Sequence, residues 1–165
     1  MFAKLEALAA DDPNWICVNV ALGAKPDRLQ LNRAGNWASS SLLAMNARHS
    51  EAEPRSAYVG TEECEVARLD DLRAELLEPG EPAYLKLDVQ GYELEVLRGA
   101  VQTLEQVGVM EAELSLVPLY DGAPLFGEVV SYLDERRFAL LGLEPGFADS
   151  RTGALLQVDG LFARV

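Results

Sequence analysis

The sequence predicts a layered α/β fold with a mostly parallel sheet that closes in a C-terminal antiparallel hairpin. Three observations point there. Short apolar runs of strand length alternate with stretches of helical spacing along the chain. The run Tyr84–Asp88 passes through a tight turn at Gly91 straight into a helix. The last two strand-like runs follow each other with no helix between them, which makes them antiparallel neighbours.

Bulk properties set the limits. With 165 residues and 49% hydrophobic content, the chain can bury a core as one domain spanning 1–165. A formal net charge of −13 repels phosphate backbones, so no nucleic-acid partner is expected. No apolar run approaches the roughly 18 residues of a membrane span, and no signal-peptide pattern opens the sequence. The expectation is a cytoplasmic protein with no membrane partner. Cys17 and Cys64 lie far apart and His49 is the single histidine, so reduced thiols and no zinc site are expected.

The elements follow in order. Phe2, Leu5, Leu8 and Ala9 fall at helical spacing, and Asp11-Asp12-Pro13-Asn14 ends that helix. Trp15–Val20 is a nearly continuous apolar run, the pattern of a strand covered on both faces. After a turn at 23–27, Arg28–Asn32 alternates as a half-buried strand. Residues 34–60, rich in Ser, Asn, Ala and Gly, form a long connection that is either a functional loop or a plain surface excursion. Glu65–Arg68 is a strand, and Leu69-Asp70-Asp71-Leu72 opens a short helix with an acidic first turn. The Tyr84–Asp88 strand leads into a helix whose stripe is Leu94, Leu97, Val101 and Leu104. Residues 106–116 form a strand with Glu111 and Glu113 near its exit. Phe126, Val129, Val130 and Leu133 mark an amphipathic helix, and Phe138–Leu143 and Leu155–Val165 complete the hairpin.

Ligands of open α/β sheets bind past the carboxyl ends of the strands, so Asp88 stands where chemistry is expected. The alternative is that Asp88 caps the following helix. Glu93 suits the helix start for the same electrostatic reason, or could touch a substrate. Gly91 serves the turn. Glu113 is either a cleft residue or a solvated charge at a strand end. Three carboxylates around one cleft could hold Mg²⁺ or Ca²⁺, but no spacing demands it, and no metal is expected. His49 could act as a base, although its polar loop suggests a surface position. Tyr120, the Ser39–Ser41 loop and Trp37 could line a pocket.

Leu85-Lys86-Leu87-Asp88-Val89-Gln90-Gly91-Tyr92-Glu93 with Val96-Leu97-Arg98-Gly99-Ala100 resembles the signature of FkbM-type methyltransferases. Further landmarks agree in order: Val20-Ala21-Leu22-Gly23, Ser40-Ser41-Leu42, Arg68-Leu69-Asp70-Asp71-Leu72, Glu113-Leu114-Ser115, Leu119-Tyr120, and the terminal stretch 149–162. The resemblance implies a Rossmann-like methyltransferase core using S-adenosylmethionine to methylate a hydroxyl of a sugar, glycan or polyketide-like acceptor. It implies Asp88 and Glu113 as catalytic residues, and Ala21, Leu22 and Asp88 as cofactor-binding ones. Ser40, Ser41, Gln90, Gly91, Glu93 and Tyr120 are the implied substrate-binding residues.

One landmark of that family is not found. Its members open with a strand ending in an acidic, glycine-rich turn, then a second strand, whereas Met1–Leu5 resembles the helix that follows both. The expectation is a core with its first two strands missing, between the Trp15–Val20 strand and the Tyr84–Asp88 strand. Unpaired backbone there costs on the order of a few kcal/mol per group, so a rearranged sheet or a homodimer covering exposed edges is expected. The alternative function is a non-catalytic binding or interaction module that kept the methyltransferase core.

Overall fold

Two separate sheets organise residues 2–165, which are the residues the computed structural model describes. The elements are α1 (Phe2–Ala9), β1 (Ala21–Leu22), β2 (Asp27–Ala34), α2 (Ala47–Ala52), β3 (Tyr58–Ala67), α3 (Leu69–Leu76), β4 (Ala83–Leu87), α4 (Glu93–Arg98), α5 (Val101–Leu104), β5 (Val107–Ser115), α6 (Phe126–Asp134), β6 (Phe138–Pro145) and β7 (Gln157–Arg164). The first sheet has the order β1-β3-β2 and the second β4-β5-β7-β6.

The mixed α/β class stands, but a mostly parallel sheet does not. Among the described residues, only β1–β3 and β4–β5 are parallel, while β2–β3, β5–β7 and β6–β7 are antiparallel. In the second sheet the cause is β7, which returns from the hairpin to insert between β5 and β6; in the first, β2 and β3 run antiparallel. The hairpin itself is present, paired from Phe138↔Arg164 to Pro145↔Val158 with a register shift between Leu140 and Gly142.

The second sheet carries the main core. Alternate residues of β5 (Met110, Ala112, Leu114) and of β7 (Val158, Phe162) point to one face and join Val96, Leu97, Leu104, Val129 and Leu133 from α4–α6. Period-two alternation on strands and 3.6-residue spacing on helices make these stripes meet. The single helix predicted over 94–104 is instead broken into α4 and α5 at Gly99–Ala100. A Cβ on Gly99 would sit 2.0 Å from the Gly23 carbonyl oxygen, so only glycine lets these backbones meet. Asp70 secures the break, accepting from the Thr103 amide at 2.8 Å and the Gln102 amide at 3.1 Å. The acidic start of α3 is therefore a cap for α5.

Trp15–Val20 is not the predicted buried strand. Only Ala21–Leu22 pairs, beside Val66–Ala67, while Trp15, Ile16 and Val18 are 45%, 58% and 39% exposed. Apolar composition makes a buried strand only where a neighbouring strand and a covering layer exist, and residues 16–20 make no backbone hydrogen bond among the described residues. The helix α1 forms as predicted, yet Leu5 and Leu8 stay exposed.

The connection 34–60 is tied down rather than free. It holds α2, capped by the Asn46 side chain at the Arg48 amide, and one 3-10 turn at Pro54–Ser56. Asn46 N–H donates to Leu119 O and Asp121 N–H to Ala44 O, each at 2.8 Å. A second apolar cluster (Ala52, Leu119, Tyr120, Leu156) locks it against the β5 exit. Among the described residues, no helix is long and apolar enough to cross a membrane.

Candidate functional site

The turn between β4 and α4 is built from two successive left-handed residues, Gln90 at φ 51° and Gly91 at φ 93°. Glycine adopts that conformation freely, and a Cβ at Gly91 would also press on Ala123 and Tyr120 at 3.0–3.1 Å. Gln90 has no such freedom, and its conformation costs about 1 kcal/mol or more. Other contacts impose it. The Ser41 hydroxyl donates to the Gln90 carbonyl at 2.7 Å, from a serine that is 1% exposed.

The Gln90 side chain then links two acids. Its Nε2 donates to Asp88 Oδ1 at 2.7 Å and to Glu113 Oε2 at 2.9 Å, while Tyr120 Oη donates to its Oε1 at 2.7 Å. Gln157 Nε2 donates to the same Glu113 oxygen at 2.7 Å. Both amides thus converge on Oε2. Burial, then the charges of Asp88, Glu93 and Asp159, push the Glu113 carboxyl up to about 8. Its protonated form is therefore favoured at neutral pH. Glu111, two residues back on the same face, lines no part of this hollow: Lys86 and Tyr84 hold it and keep its carboxyl below the usual range.

Behind Gln90 stands a buried polar chain. His49 Nε2 lies 3.2 Å from Tyr120 Oη, and His49 Nδ1 lies 3.0 Å from Ser56 Oγ. Burial holds the imidazole below its ordinary pKa and raises that of the Tyr120 phenol, so both are neutral near pH 7. The surface position expected for His49 is corrected here: it is 2% exposed, because α2 packs between Tyr120 and Phe147.

Two hollows flank the turn. A polar one of about 270 Å³ is lined by Asp88, Gln90, Glu113, Gln157, His49, Glu53, Asn36, Ala38, Ser39 and Phe147. A more apolar one of about 300 Å³ is lined by Val20, Ala21, Leu22, Leu31, Leu42, Val89 and Tyr92, with Ser40 and Ser41 at its wall. The turn therefore sends Asp88 and Gln90 to one side and Val89 and Tyr92 to the other.

The structure brings Asp88, Glu113 and Gln90 together in the polar hollow, and Ala21, Leu22, Ser40 and Ser41 in the apolar one. Asp88 does not line the apolar hollow expected to take the cofactor. Gly91, Glu93 and Tyr120 line neither. Glu93 is 3% exposed and accepts from the Gly91 amide at 3.0 Å, so it braces the turn. Tyr120, 1% exposed, fixes Gln90 from behind. Asp88 does not cap α4, whose N-cap is Tyr92. Glu113 is no solvated strand-end charge, since it is half-buried and doubly bonded by glutamines. Trp37 is 47% exposed against Arg33 and lies outside both hollows.

Asn36, Glu53, Phe147 and Gln157 escaped the sequence reading. The one usable signal was Gln157, which lies opposite Ser115 across β5 and β7, but only once that pairing is known. Among the described residues, no group of three or more His, Cys, Asp or Glu is placed to hold a metal ion. The apolar hollow is lined mainly by aliphatic side chains and Tyr92, and no carboxylate lines it that could hold ribose hydroxyls.

No curated protein and no solved structure matches this chain. A family model, described as the methyltransferase FkbM domain, matches it over residues 5–140. That span covers most of the 165 residues and contains the β4–α4 turn, the Ser39–Ser41 segment and Glu113. The chain belongs to the FkbM methyltransferase domain family.

Proposed function

We propose that this chain acts in S-adenosylmethionine-dependent O-methylation of a hydroxyl on a sugar, glycan or polyketide-like acceptor. The observation that carries the reading is the Asp88–Gly91 turn, which separates a carboxylate-lined hollow from an apolar one. Ala21, Leu22, Val89 and Tyr92 would hold the adenine end of the cofactor, with Ser40 and Ser41 at the wall shared with the turn. When bound, the cofactor supplies an electrophilic methyl group. The chain's own residues bind and orient the acceptor: Asp88 accepts a hydrogen bond from its hydroxyl, and Asn36, Gln157 and Phe147 frame it. Gln90 spaces Asp88 from Glu113, so that a single carboxylate faces the hydroxyl while its neighbour stays protonated. Placing acceptor and base in this way lowers the barrier by orientation and proton removal.

The second reading, a non-catalytic module that kept the family's core, is favoured by one feature: the apolar hollow lacks a ribose-binding carboxylate. Calorimetric titration with S-adenosylmethionine separates the two. Binding with a heat that Leu22→Lys abolishes supports the enzyme. Absence of heat for the whole chain supports the module. Where binding is seen, transfer of labelled methyl to a panel of polyols and glycans should fall about 10²–10⁴-fold in Asp88→Asn. An undiminished rate in that variant would remove Asp88 from the mechanism.

A further inference from the structure

Two unsatisfied features of this chain complement each other. β4 is an edge strand: β5 pairs its inner side, and among the described residues no strand pairs its outer side. Residues 15–20 have the composition of a strand without being one. Trp15, Ile16 and Val18 are exposed, and residues 16–20 make no backbone hydrogen bond among the described residues. An unpaired edge is a template for another strand, and an unpaired apolar run is a strand without a template.

Charge indicates the occupant. At a net −13, most surfaces of two copies repel each other. Residues 15–20 carry no charge at all, and Tyr84–Leu87 carries only Lys86, already paired with Glu111. The edge and the segment are thus a place where two copies meet without bringing their acids together. Residues 15–20 also contribute to neither apolar cluster, so moving them breaks no core contact.

We propose that residues 15–20 of one copy add as a strand to the outer edge of β4 in a second copy, and reciprocally, closing a two-fold dimer. Each addition satisfies backbone donors and acceptors on both sides and covers Trp15 and Ile16 or Val18. One residue of the segment, Val20, also lines the apolar hollow, so the substitutions that test the dimer are confined to Ile16 and Val18, which line neither hollow.

Sedimentation velocity on the whole chain over a micromolar range should show a monomer–dimer equilibrium. The Ile16→Lys/Val18→Lys double variant should weaken dimerisation at least about tenfold, with an unchanged thermal melt at concentrations where both chains are monomeric. In the Trp37→Phe background, Trp15 emission should move to the blue as concentration rises. Amides of residues 84–87 should gain hydrogen-exchange protection over the same range, a measurement on the unaltered interface that does not depend on the variant folding. A chain that stays monomeric throughout would overturn the proposal. So would a dimer that the double variant leaves intact or that leaves the β4 amides unprotected, since its contact would then lie elsewhere, as on the open sheet face.

Discussion

The four-stranded sheet has two faces of opposite character. On one, Met110, Ala112, Leu114 and Phe162 are fully buried beneath α4–α6. On the other, Tyr84, Val109 and Leu161 are 57%, 38% and 39% exposed, interleaved with Lys86, Glu111, Glu113 and Asp159. The same strands build both, because successive side chains alternate. Stability resides on the covered face. The candidate chemistry sits at the rim of the open one, where Asp88 and Glu113 leave the strand ends.

If that division is right, Leu114→Ala should cost about 2–5 kcal/mol of unfolding free energy in denaturant titration, from lost burial plus the cavity left behind. A cost under about 1 kcal/mol would mean that the covered face is loosely packed. Glu113 tests the rim. Its folded-state carboxyl stands near 8, against 4.5 ordinarily, so the folded chain holds an extra proton between those values. Stability should therefore fall as pH rises from about 4.5 to about 8, by on the order of a few kcal/mol at most. Glu113→Gln should flatten that slope and stabilise the chain at pH 8. An unchanged slope would assign the pH dependence to other acids.

Gly99→Ala examines how the helix layer is seated. Its new methyl group would collide with the Gly23 carbonyl, so the melting midpoint should drop by an amount corresponding to about 1–3 kcal/mol. At the small end, Val109→Thr on the open face should change stability by less than about 0.5 kcal/mol. A larger loss in the isolated chain would show that the face is covered in solution.

Much of the covered face was legible in the sequence. The β4 and β5 runs, the α6 stripe and the terminal hairpin each carry a local period that survives folding. The break at Gly99 was not legible, because it answers to the Gly23 backbone rather than to neighbours in sequence. Trp15–Val20 shows the opposite failure. Its composition is that of a strand, but no partner or covering layer converts it. In the candidate site, Asp88, Gln90 and Glu113 were readable because strand exits in α/β sheets are where ligands gather. His49 and Gln157 were not, since one depends on α2 packing against Tyr120 and the other on the β5–β7 register.

By itself, the sequence determined the alternation of strands and helices, the family signature around Asp88, and the glycine at the turn. These are local properties of spacing and backbone freedom. Only the tertiary structure decided that β7 inserts between β5 and β6 and that the strands divide into two sheets. It also decided that a glutamine spans two acids, one of which keeps its proton. Such facts depend on groups far apart in the chain becoming neighbours, and on the loss of water around them, which no local pattern encodes.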